Sequence, residues 1–222
     1  LNTLNDKTTV PITVNSTTIT GTAADVITAY EANDAGTITG LNNEAVILTD
    51  TTLSAANLLT IDAYPYTTGV VNALSVTTIT GSAADLIVVY TAKEAGTITF
   101  STDEAITVND SITVAQFNYL AANNDGVITA TISEGDMATL EGITESGNAL
   151  AITVTDTTVS AAELNTLDSK TTTDLTVTSS TITGTAADLI AAYTASGSIN
   201  GLGNEAITVS GSATVAQFSY LA

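Results

Sequence analysis

The sequence predicts a mainly β fold: a right-handed parallel β-solenoid built from repeated strand–arc–strand–short helix units of about 20–32 residues each. Three observations carry this expectation. The phrase Thr-Ile-Thr-Gly-Thr-Ala-Ala-Asp stands at 18–25 and again at 181–188, and recurs at 78–85 with Ser replacing the third Thr. Short runs that alternate Thr with Ile or Val recur between polar breaks, as strands with one buried face do. A helix-start signal then follows nearly every such run. Residues 1–222 therefore read as a single repeat array, because regular self-similarity overrides the domain count that length suggests.

Each unit opens on an apolar-alternating strand, at 12–14, 45–48, 105–108, 151–154, 175–177 and 206–209. A polar break follows, such as Thr49-Asp50, Asn109-Asp110, Thr155-Asp156 or Ser210-Gly211. A second strand rich in Thr and Ile leads to the helix start, where Ser or Thr is followed three residues later by an acceptor side chain. The pairs are Thr22 with Asp25, Ser54 with Asn57, Ser82 with Asp85, Thr113 with Gln116, Ser133 with Asp136, Ser160 with Glu163, Thr185 with Asp188 and Thr214 with Gln217. Such pairs satisfy backbone N–H groups that the first helical turn leaves open.

Apolar residues then fall on one helical face. Val26, Leu58, Leu86, Phe117, Met137, Leu164, Leu189 and Phe218 come four residues after each cap, and Tyr30, Ile61, Tyr90, Leu120, Leu140, Leu167, Tyr193 and Leu221 about a turn later. Helices this short need a surface to dock on. The aromatic members read as packing residues.

A longer repetition overlies the units. Glu104–Ala121 recurs as Glu205–Ala222, and Leu1–Thr9 as Leu164–Thr172, so both ends of the sequence fall inside a unit and the segment is expected to belong to a longer array. Two strands joined by a polar dipeptide are expected to turn a corner and pair with the next unit, while a hairpin stays open as the alternative. Extra Gly-Thr-Ile-Thr strands at Gly36 and Gly96, and Gly126-Val127-Ile128, are expected to add a third side to some units.

The chain carries 23 acids against three bases, a formal net charge of −20. Nucleic acid is excluded as a partner, because its binding needs a basic surface. No apolar run is long enough to span a bilayer, so no membrane insertion is expected. Cysteine and histidine are both absent, which removes disulfides, thiolate metal sites and the commonest general base.

With no Arg either, nothing forms a catalytic inventory, and acids that recur by repeat do not resemble an active site, which occurs once. The chain is expected not to be an enzyme, and no catalytic, cofactor-binding or metal residue is assigned. Asn123-Asn124-Asp125-Gly126 resembles the middle of an EF-hand loop, but Ala121 and Ile132 stand where that loop needs acids. No cofactor is required. Calcium stays open as a ligand of the acids Asp103, Glu104 and Asp110, or Glu44 and Asp50, against the reading that these keep loops wet. The Thr-x-Thr pairs admit ice binding in principle, but they fall on different strands of the unit.

Thr181–Tyr193 and Ile152–Leu167 resemble repeats of very large exported cell-surface proteins of marine cyanobacteria, the type that serves nonflagellar swimming. The similarity covers nearly the whole chain. It implies an extracellular or cell-surface location and a noncatalytic structural role as spacer or stalk, in adhesion, motility or a surface layer. Neighbouring repeats of a longer array would be its partners, through end-to-end or lateral self-association. The alternative is a binding module whose repeated face takes calcium, carbohydrate or ice.

Overall fold

The computed structural model describes residues 1–65, 69–195 and 197–221. It corrects the expected mainly β solenoid: about 35% of the chain is helix and about 29% strand, an α/β protein of parallel sheets. The reason is one of length. Runs such as Ala-Ala-Asp-Leu-Ile-Val-Val-Tyr keep burying side chains at helical spacing well past the cap, as Leu86, Val89 and Tyr90 do, so that helices reach 12 and 13 residues, whereas many strands span only two to five. The polar breaks cut the Thr-rich runs short.

The chain divides into two compact units, Leu1–Asn109 with Asn123–Gly126, and Asp110–Ala122 with Val127–Ala222. In order, the first contains α1 (Asn2–Asn5), β1 (Ile12–Thr13), β2 (Thr18–Gly21), α2 (Ala23–Asp34), β3 (Ile38–Thr39), β4 (Ala45–Leu48), β5 (Thr52–Ser54), α3 (Ala55–Ala63), β6 (Val71–Asn72), β7 (Thr78–Gly81), α4 (Ala83–Ala95), β8 (Ile98–Thr99) and the start of β9 (Ala105–Ile112). Its ladders are parallel: β1 with β3, β2 through β4 and β6 to β8, and β5 through β7 to β9. β4 and β5 flank the Thr49–Thr51 break yet pair with different neighbours. The side chains that alternate inward, Val46, Leu48, Leu53 and Ile79, are buried with Tyr30, Leu58 and Tyr90 from the helices.

The second unit takes α5 (Val114–Asn123) up to Ala122, then β10 (Ile128–Ile132), α6 (Met137–Leu140), β11 (Ala149–Val154), β12 (Thr158–Ser160), α7 (Ala161–Asp168), β13 (Leu175–Val177), β14 (Thr181–Thr185), α8 (Ala186–Thr194), β15 (Ile199–Asn200), β16 (Ala206–Ser210) and α9 (Val215–Leu221). Here too the ladders are parallel, β10 through β11 and β13 to β15, and β12 through β14 to β16. Phe117, Leu150, Leu164 and Leu189 lie fully buried in its core. α9 repeats the sequence of α5, yet Val215 and Phe218 are 84% and 54% exposed where Val114 and Phe117 are buried. Ala222, the last residue of that recurrence, lies outside the described residues.

Candidate functional site

Helix starts are the most regular chemistry in the molecule. Thr22, Ser54, Ser82 and Thr185 each accept the N–H three residues on, at 3.1–3.2 Å. The return contact depends on side-chain length. Glu163 reaches the Ser160 N–H at 3.3 Å, and Gln116 and Gln217 reach those of Thr113 and Thr214 at 3.0 and 2.8 Å, closing complete boxes. Asp25 and Asp188, one methylene shorter, instead accept the cap's own hydroxyl at 2.8 and 2.7 Å.

One expected cap is displaced. Asp136, not Ser133, caps α6, and its carboxylate accepts the Thr139 N–H at 2.9 Å. Ser133 is still tied to the strand by its N–H to Ile112 O, and its hydroxyl turns to Glu134 at 2.8 Å. The Thr139 hydroxyl and N–H hold the Asp136 carboxyl below the ordinary aspartate range.

A second layer of contacts joins successive cassettes. Asp50, in the break after β4, accepts the first free N–H of α2, at Ala23, at 2.8 Å. Asp156 does the same for Met137 of α6 at 2.6 Å, and Glu134 for Val114 of α5 at 3.2 Å. The positive end of the helix dipole thus receives a carboxylate from the following cassette. A different interlock serves α3 and α7. A Cβ on Gly81 would lie 2.8 Å from that of Ala55, and one on Gly184 would lie 3.2 Å from that of Ala161. The Gly of Thr-Ile-Thr-Gly is therefore a contact surface for the preceding helix start.

Glu44 is 2% exposed and accepts the N–H groups of Asn42 and Asn43 at 3.0 and 3.3 Å. Glu205, at the same place in its cassette, accepts the Gly203 N–H at 2.8 Å and the Tyr193 hydroxyl at 2.8 Å. Burial of the phenol, and then the Glu205 carboxylate beside it, raise the Tyr193 pKa. Tyr193 is thus more than a packing residue. Glu44 and Glu104 are not loop-wetting acids.

Glu104 is the third of this kind, 1% exposed, with both carboxylate oxygens lacking a hydrogen-bond partner. Burial raises its pKa against the attraction of Lys93. Lys93 lies over the Phe100 ring, 4.2 Å from its centroid, donates to the Ser101 carbonyl, and has its own pKa lowered by desolvation. Ser101 donates in turn to Asp103. The EF-hand-like turn docks on the same strand entry: Asp125 N–H donates to Thr102 O, Asn124 accepts the Tyr90 hydroxyl at 3.0 Å, and a side chain on Gly126 would strike Glu104 O. Among the described residues no group of three or more acids is placed to hold a metal ion.

The Thr-x-Thr pairs are dispersed. Thr20 heads a register row that continues through Ile47 and Asn72 to Thr99. The row through Ser160, Thr183 and Thr208 carries hydroxyls on all three strands, but the one beside it runs Thr158, Thr181, Ala206. No helix among the described residues is long and apolar enough to cross a membrane. No protein-family model, curated protein or solved structure matches this chain.

Proposed function

We propose that the chain is a noncatalytic structural repeat segment of a large secreted or cell-surface protein, serving as a spacer or stalk in adhesion, motility or surface architecture. The observation that carries this reading is the cassette interlock. Asp50, Glu134 and Asp156, the most reaction-capable groups in their breaks, each hold a backbone N–H of the preceding cassette. Carboxylates committed in this way serve cohesion between repeats, and they recur as the repeats do. The net charge of −20 supports the same role by keeping a long polymer soluble. The resemblance of Thr181–Tyr193 and Ile152–Leu167 to repeats of cyanobacterial cell-surface proteins supports a surface location.

Antibodies raised against the 222-residue chain test the location directly. They are expected to label intact producing cells, and external protease is expected to strip that label. Labelling only after permeabilisation would overturn the surface assignment. A melting temperature that shifts when calcium is replaced by EDTA would favour a calcium-dependent binding module instead.

A further inference from the structure

Tyr90 stands between two acceptors and serves only one of them. Its hydroxyl donates to Asn124 Oδ1 at 3.0 Å, and Asn124 Nδ2 donates to Gly126 O at 2.9 Å, so a buried tyrosine of α4 pins the turn at 123–126. That turn also rests on the entry to β9, through the Asp125 N–H on Thr102 O and the close seat of Gly126 on the Glu104 backbone. All of these residues lie in the first compact unit.

The acceptor left unserved is the Glu104 side chain, which is 1% exposed with no hydrogen-bond partner on either oxygen. The acids at the matching place in other cassettes are served. Glu44 accepts from the Asn42 and Asn43 N–H groups, and Glu205 from the Gly203 N–H and, at 2.8 Å, from the Tyr193 hydroxyl. Tyr193 holds in α8 the place of Tyr90 in α4, since Thr78–Tyr90 recurs as Thr181–Tyr193, so the cassette can bring this tyrosine to this glutamate. In the α4 cassette the two already feel each other: burial, and then the Glu104 charge, raise the Tyr90 pKa.

An unpartnered carboxyl in a dry site is tolerated as the neutral acid and is costly once charged. The groups around Glu104 relieve that cost only in part. Lys93 of α4 attracts the charge but gives its hydrogen bond to the Ser101 carbonyl and lies over the Phe100 ring. Asp103 from the same loop and Asp125 from the turn bring further negative charge to this cluster. β7, the strand beside the start of β9, carries no charged residue. The Tyr90 hydroxyl can answer the charge, but only by leaving Asn124.

We propose that Glu104 is a pH-operated latch on the 123–126 turn. As the neutral acid it leaves the Tyr90 hydroxyl to Asn124, and the turn stays docked. When it ionises, its proton goes to solvent and its carboxylate takes the Tyr90 hydroxyl, as Glu205 takes that of Tyr193, so the turn loses its side-chain anchor. The turn is therefore held at low pH and loosened as pH rises through the folded Glu104 value. This device is internal to the first unit and does not depend on where the protein acts.

The test is NMR on the whole 222-residue chain between pH of about 4 and about 9. The Glu104 carboxyl carbon is expected to titrate above the ordinary glutamate value of about 4.3. Over the same step the Asn124 side-chain amide should shift, and the Asp125 amide, corrected for intrinsic exchange, should lose protection by about tenfold or more. Glu104→Gln, which cannot ionise, should keep both signals at their acid-state values throughout. Tyr90→Phe, which has no hydroxyl to share, should hold Asp125 at the low level of protection at every pH.

Glu104 titrating at or below about 4.3, or Asn124 and Asp125 unmoved through its titration, would overturn the proposal. Both are read on the unmodified chain, so neither depends on a variant that folds. The same step persisting in Glu104→Gln would overturn it as well.

Discussion

Asp50 Oδ2 lies 2.8 Å from the backbone nitrogen of Ala23, a residue 27 positions earlier in the chain. That hydrogen bond ties the break after one strand to the start of the helix before it. Its equivalents at Asp156–Met137 and Glu134–Val114 make it a rule of construction and not a local accident.

Asp50→Ala and Asp156→Ala should each cost about 1 kcal/mol, the usual worth of an N-terminal cap. Asn at either position keeps an acceptor and should recover part of the loss. Chemical denaturation with each single variant and the pair checks this. Because the two sites lie far apart in sequence and share no partner, their costs should add.

Gly81→Ala should destabilise by about 1–3 kcal/mol through overpacking, since its new Cβ would fall 2.8 Å from that of Ala55. Ala55→Gly is itself unfavourable, yet it should restore part of the stability in the Gly81→Ala background. A double-mutant cycle with no coupling between the two would show that the contact is not the reason for the glycine.

Asp136→Ala should lower the melting temperature at neutral pH, whereas Ser133→Ala should change it little, because the cap of α6 is Asp136. The Asp136 pKa is depressed by Thr139. Its contribution is therefore full above the unfolded aspartate value of about 3.9 and is lost as pH falls through the lower folded value. The gap between wild type and Asp136→Ala should narrow in acid. A gap of constant size down to pH of about 2 would count against the carboxylate as the source.

Glu104 works in the opposite sense. Burial raises its folded pKa, so the folded state holds the proton more tightly than the unfolded one does. Stability from this group is present below the unfolded value of about 4.3 and declines as pH rises through the folded value. Glu104→Gln, which cannot ionise, should match wild type in acid and melt higher at alkaline pH. If the variant instead melts lower as pH rises, the charged carboxylate is what the fold requires.

Caps were legible because they are local. Thr22 and Asp25, or Ser160 and Glu163, meet within one turn, so spacing in the chain is spacing in space. Ser133 and Asp136 both fit the same signature, and only the strand continuing through the Ser133 N–H to Ile112 O decides which of them starts the helix. The balance of helix to strand is not legible in the sequence for a related reason. Counting Thr-rich runs registers most strands but not β6 (Val71–Asn72) or β15 (Ile199–Asn200), and the length of α2 and α4 depends on how far Tyr30 and Tyr90 find a core to enter.

The sequence by itself determined that this protein is made of repeated cassettes, where most of their helices begin, and which side chains form the apolar face of each helix. These follow from hydrogen bonds three residues long and from helical periodicity. Only the tertiary structure decided the parallel partners of each strand, the burial of Glu44 and Glu104, the carboxylate of Asp50 on Ala23, and the fit of Gly81 on Ala55. Each of these joins groups from different cassettes, and a side chain's spacing to its own neighbours carries no information about a partner that packing brings from dozens of residues away.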